Sequence, residues 1–184
     1  KSILFRLPGN YGLGLCTHIA FDHALRYNYR AVVRVDADGQ HPVDKIPEIL
    51  RPVDVGEADL VVATRTNRNV QNGLRGVLAR CVRGYLSIVA RLLTGGMAPR
   101  DVNSGFFVAN RRSIEVLNSF HLERYPEPQM YILACRNGQR VADVEVTQLP
   151  RGHGESSVTL KHALRMLYRF NIFVLAELLQ GSNR

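Results

Sequence analysis

Residues 31–41 of this chain read AVVRVDADGQH, a short apolar strand that runs directly into two carboxylates. Asp36 and Asp38 are separated by one residue, and their negative charges repel each other. A cation shared between them would offset this repulsion. Carboxylate oxygens are hard ligands that suit Mg²⁺ or Mn²⁺, and these ions usually keep phosphate oxygens as further ligands. The stretch therefore predicts a metal–phosphate site at the carboxyl end of a parallel strand, where open α/β sheets bind ligands.

The segments that follow this stretch predict an α/β fold with a parallel sheet. Val43–Val55 has the pattern of a helix, and Ala58–Ala63 is a second buried strand that ends in Thr64 and Arg65. Two strands joined through one helix by short links indicate a βαβ unit. A positively charged residue, Arg65, therefore stands at the carboxyl end of the second strand, as the two carboxylates do at the first.

Hydrophobic periodicity predicts the remaining elements, and Gly and Pro residues mark their ends. The other predicted strands are Ile3–Leu7, Asn103–Ala109 and Arg140–Val146. The other predicted helices are one that runs from Leu15 to Tyr27, Leu74–Leu93, Ser113–Ser119, Pro126–Asn137 and Val158–Gln180. A Gly/Ser-rich loop, Pro150–Ser157, separates the last strand from the last helix.

The composition favours one globular domain with an anionic partner. The 184 residues are 46% apolar and carry a net charge of +8, which suits nucleotide phosphates, lipid phosphates or an anionic membrane surface. No interleaved aromatic platform is present, so we do not expect nucleic acid binding. The three cysteines show no C-x-x-C spacing, which indicates reduced, intracellular thiols rather than a zinc knuckle or a disulfide framework.

The last predicted helix, Val158–Gln180, is basic at its start and apolar over Phe170–Leu179. The apolar run is shorter than the about 20 residues that a membrane span needs. A basic and apolar helix can lie in a membrane interface, and it can equally pack on the sheet or on a partner subunit of a homo-oligomer. Both alternatives stay open at this point.

Five short motifs occur in order along the chain. They are N-x-G-x-G at Asn10–Gly14, D-A-D-G-Q-H at Asp36–His41, A-D-x-V-x-A-T-R at Ala58–Arg65, D-x-x-S-G-F at Asp101–Phe106 and R-x-x-G-x-S at Arg151–Ser156. Each motif is weak alone, but the ordered set is specific and covers nearly the whole chain. It resembles glycosyltransferase family 2, and within it the polyprenyl-phosphate sugar transferases such as dolichol-phosphate mannosyltransferase.

The resemblance implies a GT-A fold, a Rossmann-like three-layer α/β sandwich with a mostly parallel sheet. It implies an inverting, Mg²⁺- or Mn²⁺-dependent transfer of a sugar from a nucleotide-diphosphate donor to a polyprenyl phosphate or to a glycan or lipid-linked acceptor. The expected location is cytoplasmic, peripheral on the cytoplasmic face of the membrane. The catalytic domain would span residues 1–157, and residues 158–184 would form the basic and apolar helix.

The resemblance also assigns residues to the donor side of the site. Asp36 and Asp38 match the D-x-D motif that holds the metal and the donor diphosphate, and Gln40 matches a further ligand on the metal side. Arg65 and Arg75 match basic positions near the donor and acceptor phosphates.

On the acceptor side, Asp101, Ser104 and Gly105 match the segment that faces the acceptor. Arg151 matches the arginine of a late loop that closes over the phosphates. A cation at the D-x-D motif, with Arg65 and Arg151, would stabilise the negative charge that grows on the leaving diphosphate.

The need for a general base depends on the acceptor. A lipid phosphate is already an anion and needs no strong base, whereas a sugar hydroxyl requires one. Asp101 is the first candidate base and Glu127 the second, although Asp101 could equally be a turn or cap carboxylate. His41 and His153 have the character of hydrogen-bonded loop histidines.

The start of the chain departs from the family pattern. The family begins with a strand that ends in P-x-Y-N-E and a second strand that ends in an acidic pair, and neither is present after Lys1. The expectation is an N-terminally truncated chain that lacks part of the nucleotide pocket. Two rival functions stay open: a nucleotidyltransferase, and an inactive fragment that binds anions or lipids as a basic module.

Overall fold

The computed structural model describes residues 2–66, 74–150 and 160–181; at residues 74, 75, 160–163, 180 and 181 it describes the backbone alone. The helices are α1 (Leu13–Arg26), α2 (Ile46–Asp54), α3 (Leu74–Leu93), α4 (Arg111–Asn118), α5 (Glu127–Arg136) and α6 (Leu160–Gly181), and a 3₁₀ turn over Val43–Lys45 precedes α2. The strands are β1 (Ala31–Arg34), β2 (Leu60–Arg65), β3 (Phe107–Asn110) and β4 (Val141–Val146).

The four strands form one mixed sheet in the order β1-β3-β2-β4. β3 runs antiparallel to both of its neighbours, with Val32 opposite Ala109 on β1 and Val61 opposite Val108 on β2. β2 and β4 are parallel. β1, β2 and β4 therefore point the same way, but two of the three strand pairings are antiparallel, so the sheet is mixed rather than mostly parallel. The predicted β1–α2–β2 unit is parallel as expected, but β3 lies between its two strands.

Helices cover both faces of the sheet and make three layers. On one face, α2 packs against the sheet through Ile49, with Val61, Phe106 and Val108 buried beneath it. On the other face, side chains of α1, α3, α4, α5 and α6 share a larger core. β2 is buried along LVVAT on both faces, which explains why its sequence is a continuous apolar run rather than an alternating one.

Two strand predictions are corrected. Ile3–Leu7 is not a strand: it makes no ladder with any described strand, and Leu4 is 88% exposed. The predicted strand Asn103–Ala109 begins only at Phe107. The residues before it form a turn instead, in which the Ser104 amide donates to the Asp101 carbonyl at 3.0 Å.

The two glycines of the N-x-G-x-G motif start α1 and allow close packing. Gly12 precedes the helix with φ of 92°, a backbone conformation that favours glycine. A Cβ at Gly14 would lie 2.2 Å from the carbonyl oxygen of Glu123. The motif therefore serves the contact between α1 and the loop before α5.

Candidate functional site

The D-x-D motif lies at the carboxyl end of β1, and its own backbone orders it. The Asp38 carboxylate accepts a hydrogen bond from the Gln40 amide at 3.1 Å, and Nδ1 of His41 accepts one from the Asp36 amide at 3.0 Å. The Gln40 carbonyl accepts a bond from the Leu149 amide at 2.9 Å. These contacts fold the motif into a compact turn in which the Asp36 side chain is 41% exposed.

His41 is a loop histidine, as expected from the sequence, and it packs under the motif. Its ring stacks on Phe106, with 4.9 Å between the ring centroids. Burial lowers the pKa of His41, although the charges of Asp36 and Asp38 oppose the shift and that of Arg65 adds to it. The neutral imidazole can therefore accept the amide hydrogen bond that holds Asp36 in place.

Arg34, the last residue of β1, joins the motif to α5. Its Nη2 lies 3.3 Å from Oδ1 of Asp36, and its Nη1 lies 2.8 Å from Oε1 of Glu127. Burial raises the pKa of Glu127, and the neighbouring guanidinium opposes that shift. A buried Arg34 thus connects a carboxylate of the D-x-D motif to a carboxylate at the start of α5.

The D-x-x-S-G-F segment touches the D-x-D motif directly. A Cβ placed on Gly105 would lie 2.9 Å from Oδ2 of Asp36 and 3.2 Å from Nη2 of Arg34. Ser104 is buried, and its hydroxyl donates to the Ala63 carbonyl at 2.6 Å. The absence of a side chain at Gly105 is therefore what lets the two motifs approach each other.

Arg65 and Asp101 form a bidentate ion pair beside this contact. Nε and Nη2 of Arg65 donate to the two carboxylate oxygens of Asp101 at 2.6 and 3.0 Å. Asp101 is 1% exposed, and it also accepts a bond from the Asn103 amide at 3.3 Å. The structure thus pairs two of the predicted site residues with each other.

Tyr131 supports the turn that contains Ser104. It is fully buried, and its hydroxyl donates to the Ser104 carbonyl. Burial raises the pKa of Tyr131 well above its usual value, so the phenol stays protonated and keeps this hydrogen bond. α5 therefore supports both motifs, one through Glu127 and the other through Tyr131.

The residues present fit a divalent cation of the Mg²⁺ type. Among the residues that the structure describes there is no group of three or more His, Cys, Asp or Glu side chains placed to hold a metal. Mg²⁺ does not need such a cage, because one or two carboxylates and substrate phosphates commonly complete its shell. The partly exposed Asp36 carboxylate beside the exposed Asp38 meets this requirement.

The sequence of this chain matches one family over most of its length. The family described as Glycosyl transferase family 2 matches residues 1–116 of the 184. The chain belongs to glycosyl transferase family 2. The resemblance that the five motifs predict is confirmed.

Several curated relatives share this family. Polyprenol monophosphomannose synthase of Mycolicibacterium smegmatis is 28% identical over 155 residues, covering 80% of this chain and 56% of that protein. UDP-N-acetylglucosamine–dolichyl-phosphate N-acetylglucosaminyltransferase of Methanococcus voltae is 27% identical, over 79% of this chain and 59% of that protein. Undecaprenyl-phosphate mannosyltransferase of Micrococcus luteus is 24% identical, over 80% and 61%. The chain thus spans less than two thirds of each relative's length.

A solved structure shows the same fold. Glucosyl-3-phosphoglycerate synthase from Mycobacterium tuberculosis, in complex with phosphoglyceric acid, aligns with a TM-score of 0.59 and 19% identity. The alignment covers 93% of this chain and 56% of that one. This likeness confirms the fold class, a GT-A-like α/β sandwich.

Two predicted site residues of this family 2 chain cannot be placed beside the others. Arg151 lies outside the described residues, and of Arg75 only the backbone at the start of α3 is described. Their assigned roles therefore stay predictions.

Sequence reasoning missed Arg34 and Tyr131, and it ranked Glu127 second as a base. A signal for Arg34 was present, because a charged residue inside AVVRV interrupts an otherwise apolar strand. An arginine is rarely buried without a partner, so its position predicts a nearby carboxylate. Tyr131 carries no such signal, since it occupies an ordinary apolar position of α5.

Proposed function

We propose that this chain is part of the catalytic domain of a glycosyltransferase that moves a sugar from a nucleotide-diphosphate donor to a polyprenyl phosphate. The observation that carries the proposal is the close approach of Gly105 to the Asp36 carboxylate, because it sets the D-x-x-S-G-F motif, proposed to face the acceptor, next to the D-x-D motif, proposed to bind the donor. Family membership supports sugar transfer, and the names of the curated relatives support a lipid phosphate acceptor.

The donor side of the proposed site is the D-x-D motif. Asp36, Asp38 and Gln40 would hold Mg²⁺ or Mn²⁺, which neutralises charge on the donor diphosphate and on the leaving nucleotide when it is bound. His41 fixes Asp36 by accepting its amide hydrogen bond. The role of these side chains is to bind and orient the diphosphate, with Arg75 and Arg151 as further proposed phosphate contacts.

The state of Asp101 favours an acceptor that is already ionised. Both of its oxygens bind Arg65 and the carboxylate is buried, so removing a proton from an acceptor would require breaking a bidentate ion pair. A phosphate acceptor needs no such step. We propose that Asp101 orients Arg65 toward the acceptor phosphate, and that the phosphate oxygen attacks the sugar from the face opposite the diphosphate, with inversion.

Membrane association is the second part of the proposal. No helix in the described parts of the chain is long and apolar enough to cross a bilayer. One face of α6 is nevertheless apolar and exposed, through Leu164, Tyr168, Ile172, Leu175 and Leu179, each at least 50% exposed. We propose that this stripe lies in the membrane interface, close to the lipid acceptor.

The test measures sugar transfer by the full-length protein to a short polyprenyl phosphate. Labelled nucleotide-activated mannose and UDP-N-acetylglucosamine are the donors to try first, because relatives bear those sugars in their names. We expect turnover to require Mg²⁺ or Mn²⁺, and Asp38→Asn to lower kcat by about 100-fold or more. Asp54→Asn, which alters a surface carboxylate on α2, is the control and should leave the rate unchanged.

Full turnover in EDTA would remove the metal assignment. A product that contains the nucleoside phosphate, rather than the sugar, would point to nucleotidyl transfer instead and overturn the proposed reaction.

A further inference from the structure

Arg34 makes unequal contacts with its two carboxylate partners. Its guanidinium lies between two carboxylates, 2.8 Å from Glu127 and 3.3 Å from Asp36. The Arg34 side chain is 13% exposed and that of Glu127 is 11% exposed, whereas Asp36 is 41% exposed. The closer and more buried partner of the arginine is therefore Glu127.

The proposed cation site has an electrostatic problem, because the positive charge of Arg34 lies next to it. Arg34 is a permanent positive charge at hydrogen-bond distance from a carboxylate proposed to bind a divalent cation, and like charges repel strongly where water is excluded. Nη1 of Arg34 is buried and, among the residues that the structure describes, makes no hydrogen bond of good geometry. The positive charge of Arg34 is therefore compensated by the ion pair with Glu127. Without Glu127, Asp36 would be the carboxylate left to Arg34 in this ion-pair cluster.

We propose that Glu127 is a positioning residue that holds the Arg34 guanidinium and thereby keeps Asp36 available to bind the divalent cation. The inference rests on the proposed function, because it presupposes the cation site. It gives Glu127 a role through charge compensation, distinct from the role of a general base. Asp36 keeps its orientation from His41 and from the space left by Gly105.

The test measures Mn²⁺ binding to the full-length protein by electron paramagnetic resonance, without donor or acceptor. Glu127→Gln removes the charge and keeps the shape, so Arg34 should compete for Asp36 and the Kd for Mn²⁺ should rise by about tenfold. Arg34→Gln alone should bind Mn²⁺ at least as tightly as wild type. The double variant Arg34→Gln/Glu127→Gln should return to within about threefold of wild type.

A kinetic readout separates this role from a structural one. In sugar transfer, Glu127→Gln should raise the Mn²⁺ concentration that gives half-maximal rate by the same factor as the Kd. The kcat at saturating Mn²⁺ should stay close to that of wild type, because the fully loaded site is the same. A general base at Glu127 predicts the opposite pattern, a lower kcat that added metal does not restore.

Arg140→Gln is the matched control. It removes a guanidinium from the buried carboxylate of Asp59, 3.1 Å away at the opposite end of β2, and should lower stability without changing the Kd for Mn²⁺. Folding of each variant is checked by its thermal transition in EDTA. Glu127→Asp, which retains the negative charge, is compared with Glu127→Gln.

The outcomes are distinguishable. Unchanged Mn²⁺ binding in folded Glu127→Gln, or a double variant that does not recover, overturns the inference while the cation site stands. If Glu127→Gln does not fold, weaker Mn²⁺ binding by Arg34→Gln overturns it. Mn²⁺ binding to wild type that Asp38→Asn leaves intact overturns the cation site and the inference together.

Discussion

At the residue scale, the glycines of this chain have separate tasks that their motifs do not reveal. Gly14 is needed because the backbone of Glu123 and Leu122 occupies the place of a side chain. At Gly105, a Cβ would press on the ends of two side chains, the carboxylate of Asp36 and the guanidinium of Arg34. One glycine therefore serves helix packing, and the other allows two functional motifs to meet.

Gly14→Ala should destabilise the domain by roughly 2 kcal/mol or more, because the clash is with backbone atoms that cannot rotate away. The measurement is the free energy of unfolding in urea. Gly84→Ala is the matched control: Gly84 lies inside α3, a Cβ there would meet nothing within 4 Å, and a helix interior favours Ala over Gly by about 1 kcal/mol. A Gly14→Ala variant as stable as wild type would contradict the packing role.

The charged residues of the site are paired with one another rather than independent. Arg65 and Asp101 were each predicted as a site residue, and the structure pairs them. A buried carboxylate and a guanidinium compensate each other's desolvation, so neither is explained alone. Arg34, Asp36 and Glu127 form a second group of the same kind.

At the scale of elements, the placement of β3 decides how the site is assembled. β3 enters the sheet between β1 and β2 in the opposite direction, so its amino end lies beside their carboxyl ends. The turn before β3 contains Ser104 and Gly105, Asp36 follows β1, and Arg65 is the last residue of β2. One antiparallel strand therefore brings the D-x-x-S-G-F motif next to the D-x-D motif.

α6 has apolar residues on two faces, one buried in the core and one exposed. Phe170 is buried in the core, while the opposite face exposes an apolar stripe that includes Ile172, Leu175 and Leu179. Arg136 on α5 forms an ion pair with Glu177 of α6 at 2.9 Å, which helps to fix the orientation of the helix. The exposed stripe is thus a stable feature of the surface.

Ile172→Ser/Leu175→Ser should lower binding of the full-length protein to vesicles that contain anionic lipid by about tenfold or more, because both side chains would otherwise bury apolar area in the interface. Vesicle co-sedimentation measures the effect. Val55→Ser, which alters an exposed apolar residue after α2, is the control and should bind as wild type does. Equal binding by all three proteins would contradict the membrane proposal.

At the scale of the whole molecule, the two ends of the sheet carry buried carboxylates with different tasks. Asp59, at the amino end of β2, is 2% exposed and binds Arg140 and Asn110. The hydrogen bonds from Arg140 hold the pKa of Asp59 far below its usual value. This cluster connects the starts of β4 and α4 to the start of β2, at the end of the sheet away from the D-x-D motif.

The lowered pKa of Asp59 predicts that this residue accounts for part of the loss of stability of the domain in acid. Since its pKa is lower in the folded state than in the unfolded state, its contribution to stability is complete above about pH 4 and is lost as the pH falls toward the folded-state pKa. Asp59→Asn should cost about 2–3 kcal/mol at pH 7, and the difference from wild type should shrink as the pH falls from 5 to 2. Urea unfolding across this range measures it.

Glu115→Gln is the control for this pH dependence. Glu115 forms an exposed i,i+4 pair with Arg111, which contributes no more than about 0.5 kcal/mol. A constant difference between Asp59→Asn and wild type at every pH would contradict the role given to the Asp59 charge.

Hydrophobic periodicity and the order of the motifs predict the elements, the α/β class and the family. Helical and strand periodicity are local properties, so six helices and the strands from β1 to β4 follow from them, with shifted ends at β3. The five motifs likewise depend on residue identity and order. The segment Ile3–Leu7 shows the limit of this reasoning, because a strand needs a partner and its own residues cannot supply one.

Which charged residues form pairs depends on the folded arrangement of the chain. Arg34 and Glu127 are 93 positions apart, and Arg65 and Asp101 are 36 apart. Their pairing depends on the order of strands in the sheet and on burial, which sets the strength of each interaction. The D-x-D stretch alone predicts a cation site; the tertiary structure buries Arg34 beside it and places the carboxylate that compensates this arginine, Glu127, at the start of α5.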